Sequence, residues 1–193
     1  MKRLALLLTL LIPVLTSNAY ANNDWQKSEH NYTFKYNNFS TNIRTYFNDD
    51  YDHVEFGYKI GWGMSAALRL AESGSQRENR YKLSQKMYKN KYLSLGHQIE
   101  YRAYEGATDD YFRYRLISKL KVGNAWLEVQ PRWTLGQGQE NATRVKDIKT
   151  NVGYDLKFGK QVTFSPYVMY IANGETLEKN DLMAGTALTF RFW

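Results

Sequence analysis

Cations at two-residue spacing are the side chains with the most chemistry to offer. Arg113-x-Arg115 is the clearest case, and Arg69, Arg80, Arg102, Arg132, Lys149 and Arg191 each stand on the polar side of an alternating segment. Guanidinium groups present a planar fork that grips carboxylates with two parallel hydrogen bonds, so this pattern suits the binding of anions. Acid–base chemistry has less to work with, because the chain has three histidines and no cysteine. A disulfide, a thiolate nucleophile and a cysteine-based metal site are therefore excluded. His30 and His53 stand at strand or loop edges, and His97 falls on an apolar face, opposite in parity to Ser94. A hydrolase needs its nucleophile and base held together, so no catalytic residue is nominated and no enzyme is expected. The sequence has no glycine-rich phosphate loop, metal-ligand spacing or helical basic motif. Nothing points to a nucleotide, nucleic acid, metal or other cofactor.

Positioning these cations requires strands. Leu182, Ala184, Thr186, Leu188, Phe190 and Phe192 alternate with Met183, Gly185, Ala187, Thr189 and Arg191, the two-residue period of a strand with one greasy face. The same alternation recurs near 30–39, 54–61, 64–70, 80–87, 93–102, 111–120, 126–135, 148–158 and 162–170, which predicts ten strands. Polar stretches at Ser40–Asp52, Glu72–Asn79, Glu105–Asp109, Gly136–Thr143 and Ala172–Asn180 read as loops, and they alternate with short turns such as Gly61-Trp62-Gly63. The fold expected is all-β: an antiparallel transmembrane β-barrel of about 10 strands, with 12 possible. Long loops and short turns in alternation match the outer and periplasmic ends of such barrels, which places both termini in the periplasm. Pro131 and Pro166 predict bulges or strand ends where they fall.

The first residues have their own character. Lys2 and Arg3 precede an apolar run, Leu4 to Leu15, and Ala19-Tyr20-Ala21 follows as a small-x-small cleavage pattern. About a dozen apolar residues is shorter than the roughly 20 of a spanning helix, so residues 1–21 read as a signal peptide and 22–193 as one barrel domain. The formal net charge is +7, with sixteen Tyr, nine Phe and five Trp. High polarity with many aromatics excludes a helical membrane protein but suits a barrel in an outer membrane, where every second residue meets lipid. A secreted soluble β-domain is the alternative. The polar faces would line the lumen, adding Lys35, Lys59, Lys82, Lys86, Lys119 and Lys157 to the cations above, against Glu55, Glu100, Glu128 and Asp155. Small residues of the last strands, Asn151, Gly153, Ser165, Gly185 and Ala187, would form an opposite wall with space for solute. A plugged interior in which the cations pair with the acids is the competing reading. Loop acids Asp49, Asp50, Asp52, Asp109 and Asp110 either bridge divalent cations to lipopolysaccharide or, more simply, are solvated.

Three segments, Tyr58–Leu70, Tyr92–Leu135 and Ser165–Trp193, resemble the oligogalacturonate-specific porin (KdgM) family of outer-membrane channels. The resemblance covers about half of residues 22–193. It implies a monomeric barrel with luminal tracks of basic side chains for acidic oligosaccharides, a relative that passes sialic acid among them. On the matching positions it implies Arg69, Arg102, Arg113, Arg115, Arg132 and Arg191 as lumen arginines. The family barrel has twelve strands, and here the hairpin expected between 126–135 and 149–158 is missing. Trp193 also stands one position off the apolar face of Phe190 and Phe192. The function expected is passage of small anionic solutes, with a closed structural or adhesive barrel as the alternative.

Overall fold

A computed structural model describes residues 27–47, 51–105, 110–135, 145–174, 176–177 and 179–192. The proposed leader 1–21, the loop acids Asp49, Asp50 and Asp109, and Trp193 lie outside the described residues. The described chain is all β-strand and turn: β1 (Ser28–Tyr36), β2 (Phe39–Phe47), β3 (Tyr51–Gly61), β4 (Met64–Ser73), β5 (Gln76–Lys89), β6 (Leu93–Glu105), β7 (Tyr111–Val122), β8 (Ala125–Leu135), β9 (Asp147–Tyr154), β10 (Leu156–Phe158), β11 (Val162–Asn173) and β12 (Lys179–Phe192). Each pairs with its sequence neighbour, β9 and β10 both pair with β11, and β12 pairs with β1. The sheet therefore closes into a barrel.

β9 and β10 are two halves of one crossing, so twelve segments make eleven crossings. Pro166 explains the break. The β11 ladder runs from Tyr167↔Gly153 to Phe164↔Leu156 in constant register, and the missing bridges lie opposite Ser165 and Pro166. Proline has no N–H to give the ladder. Pro131 leaves a similar gap in β7–β8 between Arg115↔Arg132 and Ser118↔Val129. Both prolines thus interrupt hydrogen bonding without shifting register: neither makes a bulge or ends its own strand, although the strand facing Pro166 breaks there. Bulges occur instead at Lys59/Gly61, Lys86/Tyr88 and Ile171/Ala172.

The strand count and the termini depart from expectation for one reason. Residues 39–47 form β2 in a stretch whose polarity predicts a loop, and the turn at Asn37–Asn38, with Asn37 at a φ of 51°, ends β1 early. Asparagine tolerates that left-handed backbone, which suits a tight hairpin. One additional crossing makes the number odd, so β1 and β12 run parallel, from Ser28↔Ala184 to Tyr36↔Phe192. Ser28 and Phe192 consequently sit at opposite mouths, which corrects the placement of both termini on one side. The long-and-short alternation also weakens, since β4 and β5 are joined by Gly74–Ser75 alone. The expected absence of a hairpin between residues 126–135 and 149–158 holds, because β8 pairs directly with β9.

Polarity is distributed inside out. Among the exposed large hydrophobic residues are Phe34, Ile43, Phe56, Leu83, Ile99, Leu120, Leu127, Val152 and Val168, all on outward faces. Buried positions are instead dominated by Glu29, Glu78, Arg80, Lys82, Glu100, Arg102, Arg113 and Asn151. A water-soluble barrel reverses this arrangement. Aromatic side chains band the outside at the short-turn end, where Tyr36, Phe39, Tyr58, Tyr92, Tyr154, Phe158 and Phe192 are exposed. Toward the other end, Tyr101 stacks between Tyr81 and Phe112, with ring centroids 6.3 and 5.0 Å apart. Beyond the strand ends there, Asp110 accepts from the Tyr101 hydroxyl and the Tyr104 amide, which holds its carboxyl below the usual aspartate range.

Candidate functional site

The site is the lumen. Strand alternation turns the polar face of every crossing inward, and the resulting cavity measures about 560 Å³. All eight cations singled out in the sequence, Arg69, Arg80, Arg102, Arg113, Arg115, Arg132, Lys149 and Arg191, line it. Seven strands contribute them, so their convergence follows from closure of the barrel and from no local motif.

Most of these cations have carboxylate partners. Glu55 holds Arg69 at 2.7 Å and Lys82 at 2.6 Å. Glu78 bridges Arg80 and Arg102. Glu100 is 0 % exposed and lies 2.7 Å from Arg115 and 3.6 Å from Arg113. Arg132 pairs with Asp147, and Lys119 with Glu128 at 3.4 Å. These carboxylates clamp neighbouring strands, and Glu55, Glu78 and Glu100 each sit between two or more cations.

Glu29, Arg44, Glu78 and Asp147 are luminal residues that the sequence reading placed in loops or at strand edges. Glu29 is 1 % exposed and accepts from the hydroxyls of Tyr46 and Tyr167 while pairing with Arg44 at 3.2 Å. Extending the alternation of 32–36 back to residue 29 would have shown Glu29 facing inward. Arg44 shares a face with Asn42 and Tyr46 in β2, which its polar composition hid.

The small-residue wall is partly filled. Tyr167 lies over Gly185, where an added methyl would overlap its ring, and Trp126 covers Gly153 in the same way. Trp126 also donates from Nε1 to Asp155 at 2.9 Å, and the Ser165 hydroxyl donates to the same carboxylate at 2.8 Å. Two aromatic rings therefore occupy part of the space expected for solute there, and the cavity is what remains between them and the arginines.

Six luminal cations have no carboxylate within ion-pair distance among the described residues: Lys35, Lys59, Lys86, Lys149, Lys157 and Arg191. Arg191 donates instead to the Thr163 hydroxyl at 2.9 Å. The three histidines sit apart from one another, and His30 has the Ser28 hydroxyl 3.4 Å from its Nε2. His97 faces outward, 3.3 Å from Gln85, while Ser94 faces inward. His30 contacts the Thr186 hydroxyl at 3.0 Å, and His53 is buried with no partner on either ring nitrogen.

No protein-family model matches the chain, and no curated protein matches it. Among solved structures it is similar to the anion-selective porin from Comamonas acidovorans, at 16% identity and a TM-score of 0.35. The match covers 81% of this chain and 53% of that porin, so the chain spans about half of that protein's length.

Proposed function

We propose that the chain is an outer-membrane porin that passes small anionic solutes, acidic oligosaccharides among them, through the cation-lined lumen. One observation carries the reading: a cavity of about 560 Å³ whose lining holds Arg69, Arg80, Arg102, Arg113, Arg115, Arg132, Lys149 and Arg191. Confined cations in excess of nearby carboxylates attract and concentrate anions and oppose the entry of cations. The apolar exterior with aromatic bands supports a bilayer as the surroundings. On this reading residues 1–21 direct export, residues 22–193 form the monomeric barrel, the short turns face the periplasm and the loops meet lipopolysaccharide. The sequence resemblance to oligogalacturonate channels supports a carboxylated sugar as solute, in a barrel one crossing smaller than theirs.

The competing reading is a closed barrel with a structural or adhesive role. The carboxylate clamps and the rings over Gly153 and Gly185 favour it. Planar-bilayer recording separates the two. The porin gives small channels whose reversal potential in a chloride gradient favours anions and whose current oligogalacturonate blocks. A complete lack of conductance overturns the porin reading. Replacing Arg113 and Arg115 together by serine lowers anion selectivity more than replacing Lys89 and Lys91 by serine at the short-turn end. Equal effects would remove the luminal arginines from the pathway.

A further inference from the structure

The luminal charge is not uniform along the axis. Arginines from Arg69 to Arg132 are bridged by carboxylates, whereas Lys35, Lys59 and Lys86, just before the short turns, have no ion-pair partner among the described residues. Arg191 stands directly across from Lys35 in the β1–β12 register, and Lys59, Lys86 and Lys119 add further positive charge around it. Beside this cluster lies a second cavity, of about 460 Å³, whose lining mixes Lys59, Lys86 and Ser84 with the apolar Ile60, Met64, Leu95 and Ile117. Ser84 accepts from the Gln98 amide at 2.7 Å, which leaves its own hydroxyl hydrogen to donate. Ammonium groups without a carboxylate, set among hydroxyl and amide donors, form a receptor for an oxyanion. Mutual repulsion among these cations is relieved only when a counterion enters, and a multivalent anion relieves it most.

We infer that the short-turn mouth is a separate anion-receiving site, built by Lys59 and Lys86 with Lys35 beside them, which binds the oxyanion groups of multivalent soluble solutes. By strand alternation Lys35, Lys59 and Lys86 stand on the inner face of β1, β3 and β5. The transport consequence rests on the anion-pathway reading. Because five of the six unpaired luminal cations, all but Lys149, lie toward the short-turn mouth, the barrel is electrically asymmetric, and a multivalent anion blocks more strongly from the short-turn side than from the loop side.

The test uses the full folded chain and inorganic pyrophosphate. In single-channel recordings, with orientation fixed by labelling a Lys160→Cys variant in the adjacent turn, half-block from the short-turn side needs about tenfold less pyrophosphate than from the loop side. The Lys59→Gln, Lys86→Gln double variant loses that difference. Equal block from both sides, or a difference that survives in the double variant, overturns the inference while leaving the porin reading intact. If no current flows at all, calorimetric titration of the detergent-folded protein decides. Stoichiometric pyrophosphate binding that weakens about tenfold in the double variant sustains the site, and its absence, or equal affinity in both proteins, overturns it. Folding of each variant is checked by heat-dependent gel mobility.

Discussion

Glu100 is the residue on which the luminal arginines converge, 0 % exposed with Arg115 at 2.7 Å and Arg113 at 3.6 Å. Its Oε1 has no hydrogen bond, so the carboxylate answers charge more than it completes a network. Removing one member of a buried pair strands its partners, at a cost of about 3–5 kcal/mol. Glu100→Gln is therefore expected to lower the urea midpoint of unfolding and, on the anion-pathway reading, to raise anion selectivity. A stability loss with unchanged selectivity would make Glu100 purely structural. The eight sequence-nominated cations were legible as cavity residues because parity alone puts them on the inner face. Their carboxylate partners were less legible. Glu29 and Glu78 lie in stretches too polar to show a strand period, so the sequence overstates how much luminal charge is unpaired.

At the scale of the element, strand faces could be read wherever the outward residues are apolar. β2 could not be read that way, since Phe39, Ile43 and Phe47 are spaced by Thr41 and Thr45 and the inner face is Ser40, Asn42, Arg44 and Tyr46. Threonine keeps the β propensity but blurs the hydrophobic contrast on which the period depends. The fit between β11 and β12 was equally hidden, because a glycine under a tyrosine is a contact between strands. Gly185→Ala pushes a methyl into the Tyr167 ring, and overpacking of this kind costs about 1–3 kcal/mol. In a Tyr167→Ser background the same substitution is expected to cost much less. Urea midpoints of the two single variants and the double variant measure that coupling, and additive costs would mean the ring yields freely.

For the whole molecule, closure through a parallel β1–β12 seam is what no local pattern announces, since the parity of the strand count depends on every strand being found. β2 alone decides at which mouth the barrel begins, at Ser28. Nine residues of β1 lie in register with Ala184–Phe192, a rise of roughly 30 Å at about 3.3 Å per residue. A barrel with both ends on one side accepts a short splice between them, and so tolerates circular permutation. Here such a splice has to run the height of the wall, through lumen or lipid. On the outer-membrane reading, two epitope tags, one just before Ser28 and one just after Phe192, are expected to report from different compartments: in intact cells an antibody reaches the first and not the second. Equal access to both would mean that the seam is antiparallel. On the outer-membrane reading, a segment fused ahead of Ser28 is displayed outside, and one fused behind Phe192 is delivered to the periplasmic side.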